Sequence, residues 1–161
     1  MVAKTPLREP IAAYVALGAN LGDPAHSVRE ALRGLAQLPQ TQLLRASSLY
    51  ETAPHQAKGP WYVNAVALLQ THLSAPDLLK ALQAMEHSAG RVRSYTNAPR
   101  TLDLDVLFFG DATINSERLT VPHPRWHERA FVLWPLKEIA PTMVSDAMLA
   151  AVADQAITKR P

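Results

Sequence analysis

With 161 residues and no cysteine, the chain is long enough for one domain with its own core, and disulfide frameworks and thiolate metal sites are excluded. Sixteen lysines and arginines against fourteen acids give a net charge of +2; no basic run accompanies it, so the charge suits small polyanionic ligands as well as nucleic acid. The N-terminal MVAKTPLREP has scattered charges and two prolines, and the apolar run after it is too short for a signal-peptide core or a membrane span. A soluble protein of the reducing cytoplasm is the expectation.

In chain order, residues 12 to 18 (AAYVALG) read as a first strand, followed by a turn-rich ANLGD. A helix then opens at Asp23-Pro24, an N-cap residue before a proline, with Val28, Ala31, Leu32 and Leu35 as its apolar side. Residues 41 to 51 (TQLLRASSLYE) predict a second strand, and WYVNAVALLQTHL a third, nearly buried one. Ser74 and Asp77 resemble a capping box; the helix they open carries the stripe Leu78, Leu82, Met85 and Ala89 and ends at Gly90. A strand follows at RTLDLDVLFFG, then a turn, a short strand, an exposed loop, a short helix around residues 126 to 138 and a frayed helical tail. This order predicts an α+β sandwich of the ferredoxin-like kind, a mostly antiparallel sheet with helices packed on it, two of them on one face. One domain spanning residues 1–161, with 1–11 and 142–161 peripheral, is expected.

The strand RTLDLDVLFFG carries the clearest chemistry. A strict period of two sends Leu102, Leu104, Val106 and Phe108 to one face and Thr101, Asp103, Asp105, Leu107 and Phe109 to the other. The two carboxylates then sit roughly 7 Å apart along the strand, and half-buried without cations they would repel each other. An isolated pair of this kind is ordinarily a surface feature. Here Arg91, Arg93 and Arg100 precede it, and Arg118, His123, Arg125, His127 and Arg129 follow. Acids that hold a hard cation, with arginines for the remaining phosphate charge, are what Mg²⁺-dependent phosphoryl transfer requires. GANLGD lacks the Gly-Lys-Ser/Thr end of a Walker A sequence, which argues against a P-loop enzyme.

Other features are less specific. Tyr62 and Asn64 share a strand face and could stack on a planar heterocycle and read its edge, although internal packing is the plainer role. Gln83 and Glu86 share a helix face, where solvated surface is the simpler reading. Gly18, Asn20 and Gly22 suggest a turn needing positive φ or a close backbone approach, with a phosphate loop as the alternative. His123 and His127 have helical zinc spacing, but Pro122 and Pro124 spoil that register and leave phosphate contact or plain surface. Trp61, Trp126 and Trp134 read as core or rim.

YVALGANLGD, SSLYETAP, YVNAV, MEHSAGRVR, APRTLDLDVLFFG and ERLTVPHPRWHERAFVLWPLKEIAP occur in unbroken order over residues 13 to about 141. Together they resemble the 6-hydroxymethyl-7,8-dihydropterin pyrophosphokinase family of the folate pathway. The resemblance implies transfer of the β,γ-pyrophosphoryl group of ATP to the pterin's hydroxymethyl oxygen, releasing AMP. It implies two Mg²⁺ ions held by Asp103 and Asp105, with Asp105 as candidate proton acceptor and Arg91 and Arg93 as catalytic partners. Tyr62, Asn64 and Phe131 would form the pterin pocket, completed by backbone groups of Thr52 and Ala53. Gln83, Glu86, Arg91, Arg93, Arg100, Arg118, Thr120, His123 and Arg129 would lie on the ATP side, with Arg91, Arg93, Arg100 and His123 against phosphates. A monomer with small-molecule substrates, and with neither nucleic-acid nor membrane partners, goes with it. The chain departs from the family at SYTNAP, which lacks a tryptophan and a basic residue that many members carry and is one residue shorter; Tyr95 is the candidate stand-in. TAPHQAKGP is also a residue short. Two rival classes are an RNA-binding module, which would need stacked aromatics with basic flanks where this sheet carries aspartates, and a metal-dependent nucleotide hydrolase, which would consume ATP without pterin.

Overall fold

The computed structural model describes residues 7–54, 59–90 and 102–161. Its centre is β1 (Ile11–Ala19), paired antiparallel with β4 (Tyr62–Thr71) on one side and with β5 (Asp103–Phe109) on the other. Beyond β4 come β3 (Tyr50–Thr52) and then β8 (Ile157–Lys159), while β2 (Thr41–Ala46) pairs with the other half of β4. A short hairpin of β6 (Ile114–Asn115) and β7 (Thr120–Val121) stands apart as a second sheet. All these pairings are antiparallel, and the class is α+β as expected.

The helices divide between the two faces of the large sheet. On one face lie α1 (Pro24–Ala36) and α2 (Ala75–Ala89). Asp23 caps α1 by accepting the His26 N–H, and Ser74 caps α2 by accepting the Asp77 N–H at 3.1 Å. Their buried residues Val28, Ala31, Leu35, Leu78 and Leu82 pack with Val15, Leu17, Leu104 and Val106 in a closed apolar core. Met85 is half-buried, and Ala89, expected on the stripe, is exposed at the helix end. The other face carries α3 (Ala130–Ile139) and the short α4 (Asp146–Ala151), with Val132, Leu133, Leu136 and Val152 packed on Ala16, Val66 and Leu107. The two helices expected on one face, α1 and α2, are found there, and α3 and α4 cover the opposite side.

Three local expectations change. The predicted strand 41 to 51 divides into β2 and β3 at Ser47, whose hydroxyl oxygen accepts the Val66 N–H at 2.9 Å in place of a ladder carbonyl. The alternation in β5 slips. Val106 pairs with Val15 and Phe108 with Tyr14, so Leu107 is an extra residue, a bulge; Phe108 joins the aspartates' face and Phe109 the α1/α2 core. Finally, the tail is not a frayed helix: after α4 it enters the large sheet as β8, held by Arg160 N–H on Leu49 O at 2.8 Å and by an Arg160–Glu51 ion pair at 2.6 Å. Among the described residues no helix is long and apolar enough to cross a membrane.

Candidate functional site

The α3 face is where the polar residues gather. Asn64 on β4, Gly18 on β1 and Asp103 on β5 are direct neighbours in register, and Val66, Ala16 and Asp105 form the next row. With strands roughly 4.8 Å apart, Asn64 and Asp103 face each other across about 10 Å of sheet whose middle position has no side chain. A Cβ at Gly18 would lie 2.8 Å from Asn64 Nδ2, so any larger residue there would displace the amide. This is the close-approach reading of the glycine turn. Gly22, with φ of +63°, supplies the positive-φ reading.

Asn64 is buried and its amide is oriented: Thr52 Oγ1 donates to Oδ1 at 2.7 Å, which leaves Nδ2 over Gly18. The Thr52 side chain thus orients the Asn64 amide, a role distinct from the backbone contact expected of it. Tyr62, half-buried at the start of β4, pairs with Thr52 and shares the Asn64 face. The Ala53 N–H is committed to Ala156 O at 3.2 Å. Phe131, on the first turn of α3, is half-buried against the second core, and the Arg129 guanidinium carbon lies 5.3 Å from its ring centroid.

On the other side of the floor, Asp103 is half-buried and Asp105 exposed. Between them the Leu104 N–H, on β5, an outermost strand of the sheet among the described residues, donates to Glu86 Oε2 at 2.8 Å. Glu86 is therefore not simply solvated surface: it ties α2 to the acidic strand. Gln83, three residues earlier, is exposed. His123 joins the same edge, its N–H donating to the carbonyl of the bulge residue Leu107 at 2.9 Å. Burial lowers the His123 pKa, Asp105 works against that shift, and Arg129 and Arg125 reinforce it. The Arg125 N–H donates to Nδ1 at 3.1 Å, so the neutral ring carries its proton on Nε2. Arg118 and Thr120 are exposed on the β6–β7 hairpin. Arg91, Arg93, Arg100 and the SYTNAP loop with Tyr95 lie outside the described residues. Trp61 and Trp134 are exposed, while Trp126 packs on Phe108 with ring centroids 5.0 Å apart.

The donor set can be tested for a metal. Among the described residues no three His, Asp or Glu side chains converge as a metal group. Two carboxylates two residues apart on one strand suit a hard cation that keeps several waters and takes its remaining oxygens from phosphate. Mg²⁺ fits that description, and zinc, which wants four protein ligands or three with an open position, does not. The arrangement as a whole offers a ring-sized floor with an oriented amide at one end and carboxylates with a histidine N–H at the other.

One residue of this neighbourhood escaped the sequence reading. Gln155 accepts the Ala130 N–H and donates to Glu128 O, both at 2.8 Å, but AVADQAITK carries no signal that would direct attention to it.

Comparison with known proteins gives consistent findings. Residues 14–141 match the family model described as 7,8-dihydro-6-hydroxymethylpterin-pyrophosphokinase. A 2-amino-4-hydroxy-6-hydroxymethyldihydropteridine pyrophosphokinase of Pseudomonas aeruginosa is 48% identical over 131 residues, covering 81% of this chain and 81% of that protein. A folic acid synthesis protein of Schizosaccharomyces pombe is 38% identical over 133 residues, covering 82% of this chain and 18% of that longer one. Among solved structures, a Plasmodium falciparum HPPK-DHPS variant superposes with a TM-score of 0.69 at 13% identity, covering 91% of this chain and 46% of that one. At that identity the likeness concerns the fold.

Proposed function

This chain belongs to the 7,8-dihydro-6-hydroxymethylpterin-pyrophosphokinase family, and we propose that the floor of Asn64, Gly18 and Asp103 is where it joins pterin to ATP. The enzyme transfers pyrophosphoryl from ATP to 6-hydroxymethyl-7,8-dihydropterin, a step of folate biosynthesis. The observation that carries the site assignment is the register itself, which sets an oriented amide and a pair of carboxylates on one face, with only Gly18 between Asn64 and Asp103.

In this reading the pterin lies against Tyr62 and Phe131, and the Asn64 amide, pinned by Thr52, reads its edge. Pinning matters because an amide free to flip would offer donor and acceptor interchangeably. Asp103 and Asp105 would hold two Mg²⁺, which would supply neutralisation of phosphate charge. The pterin's hydroxymethyl oxygen bonds to the β phosphorus as the bond from that phosphorus to the α,β-bridging oxygen breaks. AMP leaves with the bridging oxygen, and the hydroxyl proton goes to the Asp105 carboxylate. His123 donates Nε2–H to a phosphate oxygen, and needs no extra proton to do so. Glu86, by holding the Leu104 N–H, keeps the two aspartates at a fixed spacing. Arg129 adds positive charge from the α3 side, and Arg91, Arg93, Arg100, Arg118, Thr120 and Gln83 complete the ATP side. The chain acts as one domain, as a monomer and in the cytoplasm.

The test is chromatographic detection of AMP after mixing the protein with ATP, Mg²⁺ and 6-hydroxymethyl-7,8-dihydropterin, beside a control without pterin. AMP only in the presence of pterin is the expected result. ADP, or AMP formed equally without pterin, would instead favour a nucleotide hydrolase.

A further inference from the structure

Three consecutive residues of the tail, Gln155, Ala156 and Ile157, touch both walls of the proposed pterin pocket. On the α3 side, Gln155 Oε1 accepts the Ala130 N–H and Nε2 donates to Glu128 O, each at 2.8 Å. The side-chain amide thereby spans Arg129, bonding the backbone immediately before and after it. Arg129 itself is extended, with φ −124° and ψ 117°, and its side chain provides no cap for α3. Ala130 contributes one of the helix's orphan N–H groups, and Gln155 satisfies it from outside the helix. On the β3 side, Ala156 O accepts the Ala53 N–H, and Ile157 pairs with Thr52, whose hydroxyl orients Asn64.

We infer that Gln155 is a positioning residue for the pterin pocket, fixing the first turn of α3, and with it Phe131 and Arg129, relative to the Thr52–Asn64 wall. The inference rests on the pocket reading given above. It involves a part of the chain beyond residues 14–141, the span matched by the family model. The chemistry suits the site: a side-chain amide carries an acceptor and a donor side by side on one planar group, and Gln155 makes both bonds at good length. Gln155 is itself exposed, and the tail is anchored independently through Arg160 to Leu49 and Glu51, so removing the amide leaves the tail docked. What is lost is the tie between the walls.

The experiment compares the full-length wild type with Gln155→Met, which keeps length and removes both bonds. Titration calorimetry with 6-hydroxymethyl-7,8-dihydropterin, in the presence of a non-hydrolysable ATP analogue and Mg²⁺, gives the pterin affinity. A separate titration with the analogue gives nucleotide affinity, and thermal denaturation reports the fold. The expected result is a pterin affinity weakened roughly tenfold. Nucleotide affinity, spread over several cationic groups, should change by less than about threefold, and the melting midpoint by only a few degrees. Unchanged pterin affinity would overturn the inference while leaving the pocket reading intact. Equal losses for both ligands together with a large fall in melting midpoint would also overturn it, by making Gln155 a plain stability residue. A wild type that binds nucleotide but no pterin would refute the pocket reading itself, and the inference would fall with it.

Discussion

The two faces of the large sheet are built from the same strands and end up with different properties. Under α1 and α2 the face is closed: Val15, Leu17, Leu104 and Val106 meet Val28, Leu35, Leu78 and Leu82, all essentially without exposure. Under α3 the apolar packing stops at Ala16, Val66 and Leu107, and two residues further along each strand, on the same face, come Gly18, Asn64 and Asp105. Since strand side chains alternate strictly outside the bulge, a single segment such as Asp103–Val106 supplies the core of one face and the chemistry of the other. A rigid closed face is what allows the open one to hold polar groups at fixed spacing.

That division predicts separable damage. The largest effect is expected on the open face: Asp105→Ala should lose turnover by at least about a hundredfold while circular dichroism stays that of the wild type. Near-normal activity would remove Asp105 from the chemistry. On the closed face, Leu35→Ala should cost about 2–5 kcal/mol in denaturant unfolding, and the protein that remains folded should keep both substrate affinities. A selective loss of pterin binding there would show that the faces are not independent.

A smaller effect is expected where α3 is fastened to the sheet. Burial opposes ionisation of Glu138, but bonds from the Tyr50 hydroxyl at 2.6 Å and from the Ser48 N–H and hydroxyl prevail, with help from Lys159, and hold its carboxyl below the usual value. A carboxyl with a lowered folded pKa stabilises fully above its unfolded pKa and loses that contribution as pH falls through the folded one. The melting midpoint of the wild type should therefore drop more steeply than that of Glu138→Gln on acidification below about pH 4.5. Parallel curves would contradict the linkage.

Much of the closed face could be read directly from the sequence, because helical periodicity and capping residues are local signals: Asp23, Ser74 and Gly90 all stand at the ends they predicted. The acidic pair was equally plain. What the sequence did not reveal depends on register and on contacts distant in sequence. The bulge at Leu107 reverses the faces of Phe108 and Phe109, and nothing in LDLDVLFFG marks it. The opposition of Asn64 to Asp103 through Gly18 exists only once three strands are aligned. Glu86 read as solvated because its acceptor role depends on Leu104, eighteen residues away. The end of the chain read as frayed helix because β8 has three residues and gains its stability from β3.

The most direct test of the account is Gly18→Ala, with pterin and nucleotide affinities measured on the same folded protein. The new Cβ would lie 2.8 Å from Asn64 Nδ2, so the amide is displaced from the orientation that its 2.7 Å bond from Thr52 sets. The account predicts pterin affinity lowered by at least about tenfold, with nucleotide affinity close to that of the wild type. A variant that binds pterin as tightly as the wild type would show that the floor between Asn64 and Asp103 is not where the pterin lies.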